Sequence, residues 1–257
     1  MSSASYIKSR PGVPQGFFEC EAAGLRWLAA AHDDGGARVV RVEKVAAEHL
    51  QLVRIHPTKP TRKAAAEFGA GLAHTHNAGA DGFGAPPQGW SGDGFFGPLS
   101  DPRPMRMQPR TRFGEFWAED RIRPCLDELS GVYGPAEMAV FDRLCQRLHD
   151  GEFDDDDPAA RLHGDLWSGN LMWDDWGAVL IDPAAHGGHR EEDLAMLSLF
   201  GCPHYDAIIG GYEEVHPLPA GRTERIGLHQ LYGVLMHAVL FGGGYASQAL
   251  ATAQRYV

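Results

Sequence analysis

The chain has 257 residues and a mass of 28.0 kDa, which against about 100–200 residues per domain allows one large domain or two unequal lobes. Its 23 Lys+Arg and 34 Asp+Glu give a net charge of −11, a poor balance for wrapping nucleic acid, though it leaves room for a local phosphate site. A hydrophobic content of 44% excludes disorder, no apolar run reaches the roughly 18–20 residues of a membrane span, and the first residues have no signal-peptide stretch. Neither a secreted nor a membrane protein is expected. Cys20, Cys125, Cys145 and Cys202 lie far apart with no C-x-x-C pair, which suits buried thiols in a reducing cytoplasm.

In chain order, residues 17–31 read as a helix with Phe17, Leu25 and Leu28 on or near one face. Residues 37–45 and 49–55 read as short strands, and Asp33–Gly36 as a turn. Pro57 and Pro60 place a lobe boundary near residue 56, before a helix over 61–77. Between Gly79 and Arg110, seven glycines and six prolines exclude a long regular element. That loop carries Trp90, Phe95 and Phe96, then Arg103, Arg106, Arg110 and Arg112, and reads either as an aromatic-pinned surface loop or as a wall facing substrate. Helices are expected at about 111–129 and 135–150, a solvated acidic turn at Asp154–Asp157, and a hairpin at 171–173 and 178–181. Further helices are expected near 189–200, 204–215 and 222–240.

The stretch LHGDLWSGN places Asp165 five positions before Asn170, and Asp182 follows a short apolar strand in IDP. This spacing matches the catalytic loop of protein kinases and the metal-binding Asp beyond their next hairpin. An acceptor hydroxyl needs a carboxylate to orient it and take its proton, and Mg²⁺ on a triphosphate needs hard oxygen ligands. A capping turn would explain H-G-D alone but not Asn170 and Asp182. A hydrolytic metal site using His163, His186 and His189, with His74 and His76, is a weaker rival, since H-x-H on a helix splays its rings. His74 and His76 read as structural or cleft-lining.

At these residues the chain resembles the fructosamine kinase (ketosamine-3-kinase) family, which shares its fold with aminoglycoside phosphotransferases. The resemblance extends through IDPAAHGGHREEDLAMLSLFG and LHQLYGVLMHAVLFGGGY and covers essentially the whole chain. It implies an α+β, two-lobed protein-kinase-like fold, with a small ATP-binding lobe over 1–56 and a mainly helical large lobe over 57–257. It implies ATP-dependent, Mg²⁺-dependent phosphorylation of the 3-hydroxyl of a ketosamine, free or on a glycated lysine, with no nucleic acid or membrane partner. Asp165 would be the catalytic base, Asn170 and Asp182 the Mg²⁺ ligands, and Asp193 the anchor of the catalytic loop. Trp167 would face the sugar ring, with His189 and Arg190 lining or bracing the cleft. Lys8 and Glu21 would form the pair that positions the phosphates, and the backbone around Val53–Ile55 the adenine hinge.

The chain departs from the family in three places. Seven residues before Lys8 are too few for a glycine-rich strand–turn–strand, so a truncated small lobe lacking that hairpin is expected. Ala185-His186-Gly187 stands where a tyrosine pair is common, and Val53-Arg54 where an acidic residue is usual near the hinge. These changes bear on sugar specificity more than on reaction type, and keep two alternatives in view: a kinase of another small molecule (aminoglycoside, choline-like alcohol or sugar), or a nucleotide-binding pseudokinase.

Overall fold

The computed structural model describes residues 5–257. The small lobe is an antiparallel sheet of β1 (Ser5–Ser9), β2 (Val42–Ala46) and β3 (His49–Val53), in the order β1-β3-β2, with helix α1 (Phe17–Ala29) against it. The alternation in His49-Leu50-Gln51-Leu52 turns both leucines to one face, where they bury with Phe18, Leu25 and Val40. Residues 38–40, expected as strand, leave this sheet for the large lobe. There Val40 N–H donates to Leu180 O at 3.0 Å and Leu180 N–H to Arg38 O at 2.9 Å.

An irregular segment over 54–61 leads to α2 (Arg62–Asn77), whose first turn is capped by the Thr61 hydroxyl accepting from Ala64 N–H at 3.2 Å. Helix α7 (Tyr205–Val215) crosses α2 closely, because Gly69 faces the Ile208 carbonyl and Gly211 the Ala66 carbonyl with no room for a Cβ. The long loop after α2 contains one short hairpin, β4 (Gly94–Phe96) with β5 (Arg103–Met105). Its basic residues are not a free patch. Arg103 pairs with Asp101 and Glu128, Arg110 with Glu115 and Asp120, and Arg106 and Arg112 donate to backbone carbonyls.

The helix expected over 111–129 runs through 113–128 as α3 (Phe113–Phe116), a π-helical segment at Trp117–Ile122 and α4 (Arg123–Glu128). Helix α5 (Pro135–His149) follows. The acidic run after it is not freely solvated, because three of its members each meet a separate donor. Asp154 accepts from Gly114 N–H, Asp155 from His189 and Asp157 from Arg190. Beyond it, β6 (Ala160–Leu162) pairs with β9 (His186–Gly188), and β7 (Leu171–Asp174) with β8 (Gly177–Leu180). Helices α6 (Glu191–Leu199), α8 (Arg222–Phe241) and α9 (Tyr245–Ala253) complete the large lobe. Sequence reasoning did not resolve α9, because Gly242–Gly244 separates it from α8 and its own residues are mostly small. No helix among the described residues is long and apolar enough to cross a membrane.

Candidate active site

The two lobes meet at a cleft of about 370 Å³ whose walls include Lys8, Glu21, Asp165, Trp167, Asn170 and Asp182. Helix α1 brings Glu21 inward because Gly24 sits against the chain after Asp182, where an added Cβ would lie 2.9 Å from Ala185 Cβ. Lys8, on edge strand β1, donates to both oxygens of Glu21 at 3.0 and 2.8 Å and to Asp182 Oδ1 at 3.2 Å. Burial works against the ammonium, but the facing carboxylates outweigh it and raise its pKa, so Lys8 stays charged.

The loop between β6 and β7 holds Asp165. Gly164 takes φ +81°, and a Cβ there would collide with the Ala184 carbonyl, so glycine is required. Asn170 Nδ2 donates to Asp165 O at 2.8 Å and to Asp165 Oδ2 at 3.0 Å. Both amide protons are thereby used, and Asn170 Oδ1 keeps its lone pairs for another partner. Burial pushes the Asp165 carboxyl up to about 7, although the Asn170 bond favours the ionised form. Asp182 lies in the left-handed region at φ 51°, which a short acidic residue tolerates, and its side chain is 43% exposed. Two uncommitted hard oxygens, one carboxamide and one carboxylate, suit a divalent cation such as Mg²⁺.

The loop is anchored from beneath by Asp193 of α6, which is fully buried. Its carboxylate accepts from His163 N–H at 2.8 Å, Gly164 N–H at 2.9 Å and His76 Nε2–H at 3.2 Å. Burial opposes its ionisation, but these donors hold the carboxyl below the usual range. Behind His76 the bonds run in one direction. Arg190 can only donate, giving Nη1–H to the Tyr212 hydroxyl at 3.0 Å; the Tyr212 proton then goes to His76 Nδ1 at 2.8 Å. His76 is thus fixed as the Nε2–H tautomer that Asp193 requires. Sequence reasoning had no signal for Tyr212, which comes from a distant helix.

His189 and Arg190 do not line the cleft; of the two roles open to them, the structure shows the brace. Both are 2% exposed and point into the large lobe, where His189 Nε2–H donates to Asp155 and Arg190 Nε–H to Asp157. The histidine metal site also fails. His163 Nε2–H donates to Ile181 O while its Nδ1 accepts from Asp165 N–H, so neither nitrogen is left for a cation; His186 Nδ1–H donates to Ala184 O, and its buried, unpartnered Nε2 stands without a second histidine ligand. His189 comes near Glu191 and His229, but its Nδ1 accepts Glu191 N–H, so Nε2 carries the proton and has no lone pair for a cation. Val53 and Ile55 line a neighbouring groove of about 350 Å³ with Arg38 and Trp176, not the cleft that holds Lys8.

Trp167 is 40% exposed and its ring lies over Gly169, whose hydrogen alone leaves room for it. Phe95 and Phe96 of the long loop are further walls, as one of its two readings expects, while Leu99 from that loop and His237 and Phe241 from α8 are walls that sequence reasoning missed. The long loop therefore does face the cleft, through aromatic and aliphatic side chains and not through its arginines.

Comparisons with known proteins agree with this geometry. A crystal structure from Thermobifida fusca that carries the name of a fructosamine-3-kinase superposes with a TM-score of 0.87 at 42% identity, covering 98% of this chain and 85% of that one. A protein of Enterococcus faecium carrying the name of a ketoamine kinase is 31% identical over 255 residues, 95% of this chain and 84% of the relative. A choline kinase from Streptococcus pneumoniae, at 15% identity and a TM-score of 0.58, covers 99% of this chain and 88% of its own and shares the fold alone. These neighbours make the two-lobed architecture protein-kinase-like. The fructosamine kinase family model matches residues 2–257, and with the cleft and its neighbours in view the chain belongs to that family of phosphotransferases.

Proposed function

We propose that this phosphotransferase moves the γ-phosphoryl group of ATP to a sugar hydroxyl of a ketosamine, the 3-hydroxyl of a fructosamine or ribulosamine. The observation that carries the reading is Asp165, a carboxylate oriented by Asn170, opening on the same cleft as Trp167 and the Lys8–Glu21 pair. The names of the similar proteins support the acceptor class.

In this reading the sugar lays its C–H face on Trp167, which points the acceptor hydroxyl at Asp165. Asp165 takes the hydroxyl proton as the oxygen attacks phosphorus, and the bond from the γ-phosphorus to the bridging oxygen breaks to release ADP. Lys8, held straight by Glu21, positions the α- and β-phosphates. Asn170 Oδ1 and the Asp182 carboxylate would hold Mg²⁺, which supplies charge neutralisation on the phosphates when bound. The segment near residue 56 serves as the hinge between lobes. Phosphate on O3 is a far better leaving group than hydroxide, so the product adduct comes apart and the amine is freed from glycation. The four unpaired cysteines suit a cytoplasmic setting.

The test is ketosamine-dependent ADP release by the purified protein. Asp165→Asn should lower turnover by about 10²–10⁴-fold, the usual contribution of a positioned base, while ATP binding by calorimetry persists. Full turnover in Asp165→Asn would show that another group takes the proton. An aminoglycoside or choline turning over far better than any ketosamine would reassign the acceptor.

A further inference from the structure

From Trp167 the cleft continues outward onto aromatic rings to which the proposed phosphoryl transfer gives no role. Trp167 meets Phe200 edge-on at 6.3 Å between ring centres, Phe200 meets His237 at 4.9 Å, and His237 meets Phe241 at 5.5 Å. These side chains come from the catalytic loop, the end of α6 and the end of α8. Of the five large aromatics that are exposed among the described residues, Trp167, Phe200 and Phe241 all belong to this run, leaving only Tyr6 and Trp176 elsewhere. Single exposed aromatics need no explanation, but a contiguous patch beside a reaction centre marks a binding surface.

The polar groups around the patch narrow its ligand. His237 Nδ1–H donates to the Gly233 carbonyl at 2.7 Å, so its Nε2 presents a lone pair. The carboxylates among the cleft's lining residues are Glu21, Asp165 and Asp182, and its one ammonium is Lys8, all at the phosphate end. Beyond them the lining is uncharged and includes Pro98, Leu99, Leu240 and Phe241. A charged substituent on the acceptor would find no counter-ion among these groups, whereas an apolar one would bury against rings. The ketosamine nitrogen itself is an ammonium near neutral pH, and an ammonium is attracted to aromatic faces.

Building on the ketosamine reading, we infer that Phe200 and Phe241, with Trp167, form the subsite for the amine substituent. The preferred acceptors are then ketosamines whose nitrogen carries an aromatic or long aliphatic group. A sugar adduct of an amino acid with a free carboxylate next to the nitrogen is a poor substrate.

The experiment compares kcat/KM for the fructose adducts of benzylamine, methylamine and glycine. The benzylamine adduct should exceed the methylamine adduct by about tenfold, the scale set by burying one ring against others, and the glycine adduct should be the poorest. Phe241→Ala, at a position 61% exposed where folding is not at stake, should pull the benzyl-to-methyl ratio down to within about threefold. A wild-type ratio near one, or a ratio that survives Phe241→Ala, overturns the subsite. If no adduct turns over at all, the ketosamine reading fails instead, and calorimetry decides the subsite separately. Benzylammonium chloride binding wild type more tightly than the Phe241→Ala variant, with methylammonium as the blank, upholds it; equal heats overturn it.

Discussion

In the proposed reaction Asp165 takes the acceptor's proton, and its ionisation is measurable in the protein without nucleotide. Burial raises its carboxyl to about 7, while the Asn170 hydrogen bond and the Lys8 charge pull the other way. A carboxylate-resolved NMR titration should therefore find one Asp with a midpoint near 7 instead of near 4. Asn170→Ala deletes a bond made to the ionised form, so the midpoint should move further up; a downward move would mean that the bond favours the protonated acid. That Asp165, Asn170 and Asp182 meet at one cleft was legible in the sequence, because they stand at a fixed local spacing on one loop and one strand end. The orientations of His189 and Arg190 were not. Adjacency to a motif says nothing about which way a buried side chain points, and the acidic run that receives these two lies far upstream, at residues 155 and 157.

At the scale of elements, the loop that carries Asp165 is held by the Asp193 carboxylate, whose partner His76 is fixed in turn by Tyr212 of another helix. Tyr212→Phe keeps the ring that packs in the α2–α7 contact but leaves His76 Nδ1 without its donor and Arg190 with one acceptor fewer. Stability should fall by about 1–3 kcal/mol, the range for an unsatisfied buried polar group, as read by urea denaturation. A change under 0.5 kcal/mol would show that the relay carries little of the fold. Gly164→Ala should be worse for activity than for ATP binding, since it forces the loop off the Ala184 carbonyl and moves Asp165 with it. Most helices and the β7–β8 hairpin were legible from periodicity. Strands β6 and β9 were not, because three-residue strands paired across a long separation carry no pattern of their own. The outer aromatic run was equally invisible: it assembles from residues 167, 200 and 241, which share no spacing, and it exists only once α6 and α8 end side by side.

In the whole molecule, two carboxyls of this acidic chain are held by histidine and arginine partners in the large lobe. Burial opposes the ionisation of Asp155 and Glu191, yet hydrogen bonds from His189 to the first, and from His229 and Arg225 to the second, hold both carboxyls at about 2. A carboxyl depressed by folding stabilises the native state at pH values above its unfolded pKa and loses that contribution as it protonates. Stability should accordingly decline as pH falls from about 4.5 to 2, and Asp155→Asn should make that decline shallower. Urea midpoints across this range test it, and an equally steep decline in the variant would point to other carboxyls. The bond from Lys8 to Asp182 also has a consequence at this scale. The ammonium joins the small lobe to the large one, and it occupies one oxygen of the carboxylate assigned to the cation. A phosphate that draws Lys8 toward itself would free that oxygen, and a cation that neutralises Asp182 would weaken its hold on Lys8. Each ligand therefore loosens the latch that the other must open. By thermodynamic reciprocity a nucleotide and a divalent ion bound there would assist one another equally, and replacing Lys8 should remove the part of that coupling that passes through the latch, read by calorimetry as a smaller gain in Mg²⁺ affinity on adding nucleotide.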